Sequence, residues 1–173
     1  MNSGDPSWEA RLDAVWSAIE SYEPDALVAK IESLTGQLPS GSAIGFFECA
    51  SAQDSTGHPE LAVPLYRAAL ATGLTGVRRR RATIQLASTL RNLGNAAQAA
   101  DLLFTELRAP ADELDGAVRA FLAPALVDLG REREAVAQSL TALSQYLPRY
   151  NRSLARYASA ITAHPSGGDE SAP

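Results

Sequence analysis

Apolar side chains recur at helical spacing from the start of the chain. Trp8, Leu12, Val15, Trp16 and Ile19 fall on one face of a helix, and Pro6 suits its first turn. Pro24 ends that helix and opens a second, with Leu27, Val28, Ile31 and Leu34 as its stripe and Gly36, Pro39 and Gly41 closing it. Together they predict a helical hairpin over 6–39. After Pro148 a further stripe of Tyr150, Leu154, Tyr157, Ala158 and Ile161 predicts a last helix over 148–164. The polar segments 1–5 and 166–173, rich in Gly, Ser, Pro and Asp, carry no such stripe and are expected to be disordered tails.

Between these ends the pattern repeats. Gly57, Gly94 and Gly130 lie 37 and 36 residues apart; each is followed five residues later by alanine (Ala62, Ala99, Ala135) and preceded by seven residues by another (Ala50, Ala87, Ala123). A glycine at a helix end adopts the left-handed conformation that stops a helix at low cost. Alanine suits positions where two antiparallel helix backbones come closest, because a larger side chain would force them apart. Larger apolar residues surround these positions: Phe46, Leu65, Tyr66 and Leu70 in the first unit; Leu86, Leu90, Leu102, Leu103 and Leu107 in the second; Leu122, Leu126, Val136, Leu140 and Leu143 in the third. The pattern predicts three helical hairpins, at 43–74, 77–110 and 113–147, inside a single helical domain spanning 6–165.

This repeat resembles the tetratricopeptide repeat, a helix–turn–helix of about 34 residues with small residues and a turn glycine at these places. The resemblance covers residues 43–147 and is closest over Gly57-His58-Pro59-Glu60-Leu61-Ala62 and the helix that follows. The tryptophan common early in the unit is absent, with Phe46, Thr83 and Arg119 in its place, and Pro124 interrupts the first helix of the third unit. The extra two or three residues per unit fall in the inter-unit turns at 73–76 and 108–112. The stretch from Leu65-Tyr66-Arg67 to Asn92-Leu93-Gly94 is also similar to a small bacterial subfamily of such proteins, which implies dimerisation. The implied fold is all-α, a right-handed α-α superhelix whose exposed apolar ends are covered by the N-terminal hairpin and the C-terminal helix.

Composition agrees with this class and narrows the function. The chain is 46% hydrophobic and only 6% aromatic, with abundant alanine, the best helix former. Its net charge of −5 disfavours nucleic acid as the main partner, which requires a basic footprint. One cysteine, Cys49, makes neither an internal disulfide nor a cysteine-based zinc site; its apolar surroundings give it the character of a small buried residue. The N-terminal residues lack the basic start and apolar run of a signal peptide, and no stretch approaches a membrane span, so a cytoplasmic protein free of membranes is expected.

No constellation of catalytic, metal-binding or cofactor-binding residues is visible. His58 falls in an inter-helix turn, His164 at the edge of the tail, and Gly41-Ser42-Ala43-Ile44-Gly45 lacks the strand a phosphate loop needs. The one unusual feature is Arg78-Arg79-Arg80-Arg81 at the start of a helix, where each exposed cation opposes the helix dipole by about 0.3–1 kcal/mol. Pairing with Glu48, Asp54 or another acidic neighbour is the plain explanation, and an anion or acidic-peptide site is the functional one. Arg81, Gln85, Ser88 and Asn92 share a helical face, with Arg91 beside them.

In repeats of this family the first helices line a concave, ligand-holding surface. The resemblance therefore implies a groove carrying Phe47, Glu48, Arg81, Gln85, Ser88, Arg91, Asn92 and Phe121, with the two phenylalanines as apolar anchors. The chaperone-tail clamp of some members is not implied, because its positions hold Phe47, Ser51, Gln85, Ala117 and Phe121. The sequence thus points to a protein- or peptide-binding module, self-associating as a homodimer through its alanine-rich faces and tyrosine-bearing last helix. The competing reading is a helical small-molecule sensor or enzyme with a site between hairpins, for which Glu48, Asp54 and Arg91 are the nearest candidates.

Overall fold

The computed structural model describes residues 6–163. The tails expected at 1–5 and 166–173, together with His164, lie outside the described residues. Among the described residues the chain forms nine α-helices and no strand: α1 (Pro6–Ser17), α2 (Pro24–Thr35), α3 (Ala43–Ser55), α4 (Pro59–Ala71), α5 (Gly76–Asn92), α6 (Ala96–Glu106), α7 (Asp115–Asp128), α8 (Glu132–Ser144) and α9 (Asn151–Ala163). A single 3-10 turn, Ile19–Ser21, joins α1 to Pro24. The fold is all-α, of the helical-hairpin repeat class. Pro24 and Pro59 open their helices at the first turn, where a missing N–H costs nothing.

The repeated glycines do what their spacing predicts. Gly57, Gly94 and Gly130 have φ of +83°, +83° and +69°, and nothing lies within 4 Å of where a Cβ would sit. Each residue is glycine for its backbone alone. At the first turn the amide of His58 bonds back to Gln53 O at 2.9 Å; at the third, Arg131 N bonds Leu126 O at 2.9 Å. These bonds satisfy carbonyls that the helix end would leave unpaired. All six register alanines, Ala50, Ala62, Ala87, Ala99, Ala123 and Ala135, are buried.

The helices gather into two compact units that divide between Gly94 and Asn95. In the first unit, α1 and α2 pack together and α2 packs on α3, around Trp8, Leu12, Val15, Leu27, Ile31 and Leu34. The buried Trp8 indole donates to Leu34 O at 2.8 Å, satisfying a carbonyl in the last turn of α2. The hairpin α3–α4 follows, and α5 packs on both of its helices. In the second unit α6, α7, α8 and α9 pack each on the next. The boundary falls in the turn of the second predicted hairpin, so α5 belongs to one unit and α6 to the other.

Two packing expectations differ from the structure. Val136 and Leu143 are exposed, because Ala135, Ala137 and Ala142 take the buried positions of α8. Cys49 is half-buried, with Sγ 3.2 Å from Thr35 Oγ1.

Gly57→Ala is expected to lose about 1–2 kcal/mol, the cost of a left-handed φ at a side-chain-bearing residue, and Gly57→Asn to lose less. Ala62→Leu, with no space to fill, is expected to lose about 1–3 kcal/mol. Thermal or urea unfolding of the three variants measures both.

Candidate functional site

The first unit contains a connected set of polar residues. Arg78, in the first turn of α5, is the centre of it. Its guanidinium makes a two-bond fork with the carboxylate of Glu9 on α1, with Nη1 3.2 Å from Oε1, and Nε donates to Glu48 Oε1 on α3 at 3.1 Å. The other oxygen of Glu48 accepts from the Trp16 indole at 2.8 Å. One arginine and one carboxylate thereby tie together α1, α3 and α5. The acidic compensation expected for the arginine run is present, supplied by Glu48 and by Glu9. Asp54 is engaged elsewhere, accepting from Tyr66 Oη at 3.3 Å and Thr89 Oγ1 at 3.0 Å.

The predicted groove residues divide by exposure. Glu48 is 3% exposed and Phe47 is 0%, so neither is a surface group. The assignment of Phe47 as an apolar anchor is corrected: its ring is enclosed, 6.4 Å from that of Tyr66, because position 47 faces the hairpin interior. The Arg81 guanidinium lies 5.5 Å from the centroid of the same ring. Cation–π contact of this kind steadies an arginine without neutralising it. Arg81 and Asn92 are exposed, while Gln85, Ser88 and Arg91 are half-buried. Gln85 Oε1 accepts from Ser51 Oγ at 3.4 Å, and Ser51 also donates to Phe47 O at 3.0 Å. The α5 row therefore stands on a buried floor of Phe47, Glu48 and Ser51. Phe121, in the second unit, is 42% exposed.

Burial sets the electrostatics of the floor. It raises the Glu48 carboxyl above the ordinary carboxylate value, against the lowering effects of Trp16, Arg78 and Arg81. Asp54 is raised for the same first reason and lowered by its bonds from Thr89 and Tyr66. The Tyr66 phenol is driven well above its usual value by burial and by Asp54. These groups are held by partners of opposite or neutral character, and Glu48 and Asp54 turn to different ones.

Chemistry finds little to work with among the described residues. No group of three or more His, Cys, Asp or Glu is placed to hold a metal ion. Cys49 borders a cleft of about 660 Å³ with Thr35, Leu38 and Phe46, but burial raises its thiol away from the reactive thiolate. His58 Nδ1 sits 3.1 Å from Thr56 Oγ1 in the α3–α4 turn. No helix is long and apolar enough to cross a membrane.

Sequence reasoning missed Glu9 and Trp16 as members of this site. Trp16 sat in an apolar stripe, yet an indole N–H that leaves water needs an acceptor, and Glu48 is that acceptor.

A family model described as tetratrico peptide repeat matches residues 43–161. No curated protein and no solved structure matches the chain.

Glu48 predicts an unusual pH response. Its folded-state pKa lies above the ordinary 4.5, so the folded state holds the proton more tightly than the unfolded one. Stability contributed by this group rises as pH falls through the window just above 4.5, and is lost as pH rises through the folded-state pKa. Relative to Glu48→Gln, the native protein should gain stability as pH falls from 7 to 4.5 in urea titrations. A constant difference across that range contradicts the assignment.

Proposed function

Since the chain belongs to the tetratricopeptide repeat family, whose members generally bind other proteins, we propose that it is a non-enzymatic interaction module that holds a protein or peptide on the α5 face of its first unit. The observation that carries this reading is the support beneath that face. Arg81 is exposed and charged yet held over the Phe47 ring, and Gln85 is bonded to buried Ser51. Side chains held before a partner arrives lose less entropy on binding. Arg81, Gln85, Ser88, Arg91 and Asn92 offer donors and acceptors for a polar or acidic peptide.

Catalysis has no comparable support, since the carboxylates nearest this face are occupied by Arg78, Trp16, Tyr66 and Thr89. The net charge of −5 favours protein over nucleic acid as partner. A lone half-buried thiol suits a reducing compartment, which supports the cytoplasm. Self-association as a homodimer is part of the proposal. Val136 and Leu143, seven residues apart on α8, form an exposed apolar stripe with Leu129 nearby. Large apolar groups gathered on one face favour burial against a second copy.

The triple variant Arg81→Gln/Arg91→Gln/Asn92→Ala is expected to lose a partner recovered by the native protein in a pull-down from the host. Unchanged recovery removes the α5 row from the binding surface.

Light scattering at tens of micromolar tests self-association separately. A dimeric mass that becomes monomeric in Val136→Glu/Leu143→Glu is the expected result, and a native monomer rejects the dimer.

A further inference from the structure

The start of the last helix gathers positive charge with no acidic neighbour in sequence. Residues 147–163 include Arg149, Arg152 and Arg156 and no acidic residue, within a protein of net charge −5. All three are exposed. Among the described residues, none of their guanidinium groups makes a hydrogen bond, ion pair or ring contact. Every other arginine there takes part in some such interaction, from Arg11 on Gln37 to Arg133 on the Ile161 carbonyl. Arg152 and Arg156 lie four residues apart on one side of α9, where like charges repel, and Arg149 lies in the segment just before the helix. Two of them also stand at the N-terminal end of the helix, where the dipole disfavours cations. The free protein gains no stability from this arrangement.

Tyrosines flank the row. Tyr157, on α9, is 65% exposed, and Tyr150, just before the helix, is 78% exposed. Tyr150 has φ of +64°, the one non-glycine residue among those described with a positive φ. A large side chain is thus held outward on a strained backbone at the start of α9. The opposite side of α9, with Leu154 and Ala158, packs toward α8 and is not available.

We propose that this outer side of α9 docks an acidic segment of a partner protein. Arg152 and Arg156 on α9, with Arg149 just before it, receive its carboxylates, and Tyr150 and Tyr157 receive its apolar side chains. Arginine and tyrosine are the residue types that dominate binding energy at protein interfaces, and arginine grips carboxylates with a two-bond fork. A nucleic-acid backbone fits less well. It demands many cations along a track, and the acidic remainder of this chain opposes it. A second copy docking by two-fold symmetry on this face would set the arginines against themselves.

The test uses the full chain and a fluorescein-labelled peptide of ten residues alternating glutamate and leucine, read by fluorescence anisotropy. Saturable binding that weakens as salt rises from about 0.05 to about 0.5 M is expected. Arg149→Gln/Arg152→Gln/Arg156→Gln should weaken it about tenfold while leaving the Tm unchanged or higher, because like charges have been removed. Tyr150→Gly should weaken it too, again without loss of Tm, since glycine accepts the left-handed φ. No saturable binding, or equal binding by the triple arginine variant, overturns the proposal. Tighter arginine-dependent binding to phosphatidylserine vesicles or to single-stranded DNA also overturns it and reassigns the face. The Arg81→Gln/Arg91→Gln/Asn92→Ala variant should bind this peptide normally. If that variant alone loses it, the acidic segment sits on α5, and the α9 proposal fails while the α5 reading stands.

Discussion

Two short antiparallel helices bury little surface unless their backbones come close, and close approach excludes every side chain larger than a methyl group at the contact. The rest of this structure follows from that restriction. It places alanine on both sides of the turn at Ala50 and Ala62 and at Ala123 and Ala135, all of them buried. It requires the chain to reverse within about three residues, which the left-handed glycines at 57, 94 and 130 allow. A hairpin closed on alanine gains modest apolar burial per residue. Neighbouring helices must supply the remainder, which is why such hairpins occur in stacks.

Small residues at the contact leave polar groups close to the interior. Glu48 is the clearest case. Its position on α3 puts a carboxylate where α1 and α5 also arrive, and an unpaired charge there would be costly. Trp16 and Arg78 supply the missing partners from those two helices. The same geometry explains why Arg78, at a helix start that disfavours cations, is tolerated: two carboxylates outweigh the dipole. Arg81, one turn later, is left to rest on the Phe47 ring and stays exposed. A run of like residues thus separates into a member that holds the fold and a member that faces outward.

The sequence made the backbone legible and the side-chain partners only partly so. Helix starts at Pro24 and Pro59, and the three glycine turns, each depend on local chemistry that a single residue announces. Pairings such as Arg78 with Glu9, 69 residues apart, depend on how α1 lies against α5 and are not written in any local pattern. The error at Phe47 has a related cause. The position assigned by resemblance was sound as a helix position, but adjacent residues of α3 turn by about 100°, so a small rotation moves a side chain from surface to core. Val136 and Leu143 failed in the opposite direction: large and apolar, they were read as packing residues, yet the contact was already filled by alanines.

That displacement connects packing to function. In α8, Ala135, Ala137 and Ala142 take the buried positions, and Val136 and Leu143 lie on the outside. Among the described residues most of the exposed large apolar side chains fall at or beyond Phe121, on α7, α8 and α9 and the turns between them. In the first unit Trp8, Phe47 and Tyr66 are buried, and Trp16, Tyr22 and Phe46 are half-buried. The outward side chains of α8 are available for contacts with other molecules. Around α9 the exposed groups are Tyr150 and Tyr157 with arginines beside them, so its surface differs from the α5 row, where amide and hydroxyl groups accompany the arginines. Two surfaces of different character on one small chain suit a protein that joins partners, because each can discriminate by chemistry the other lacks.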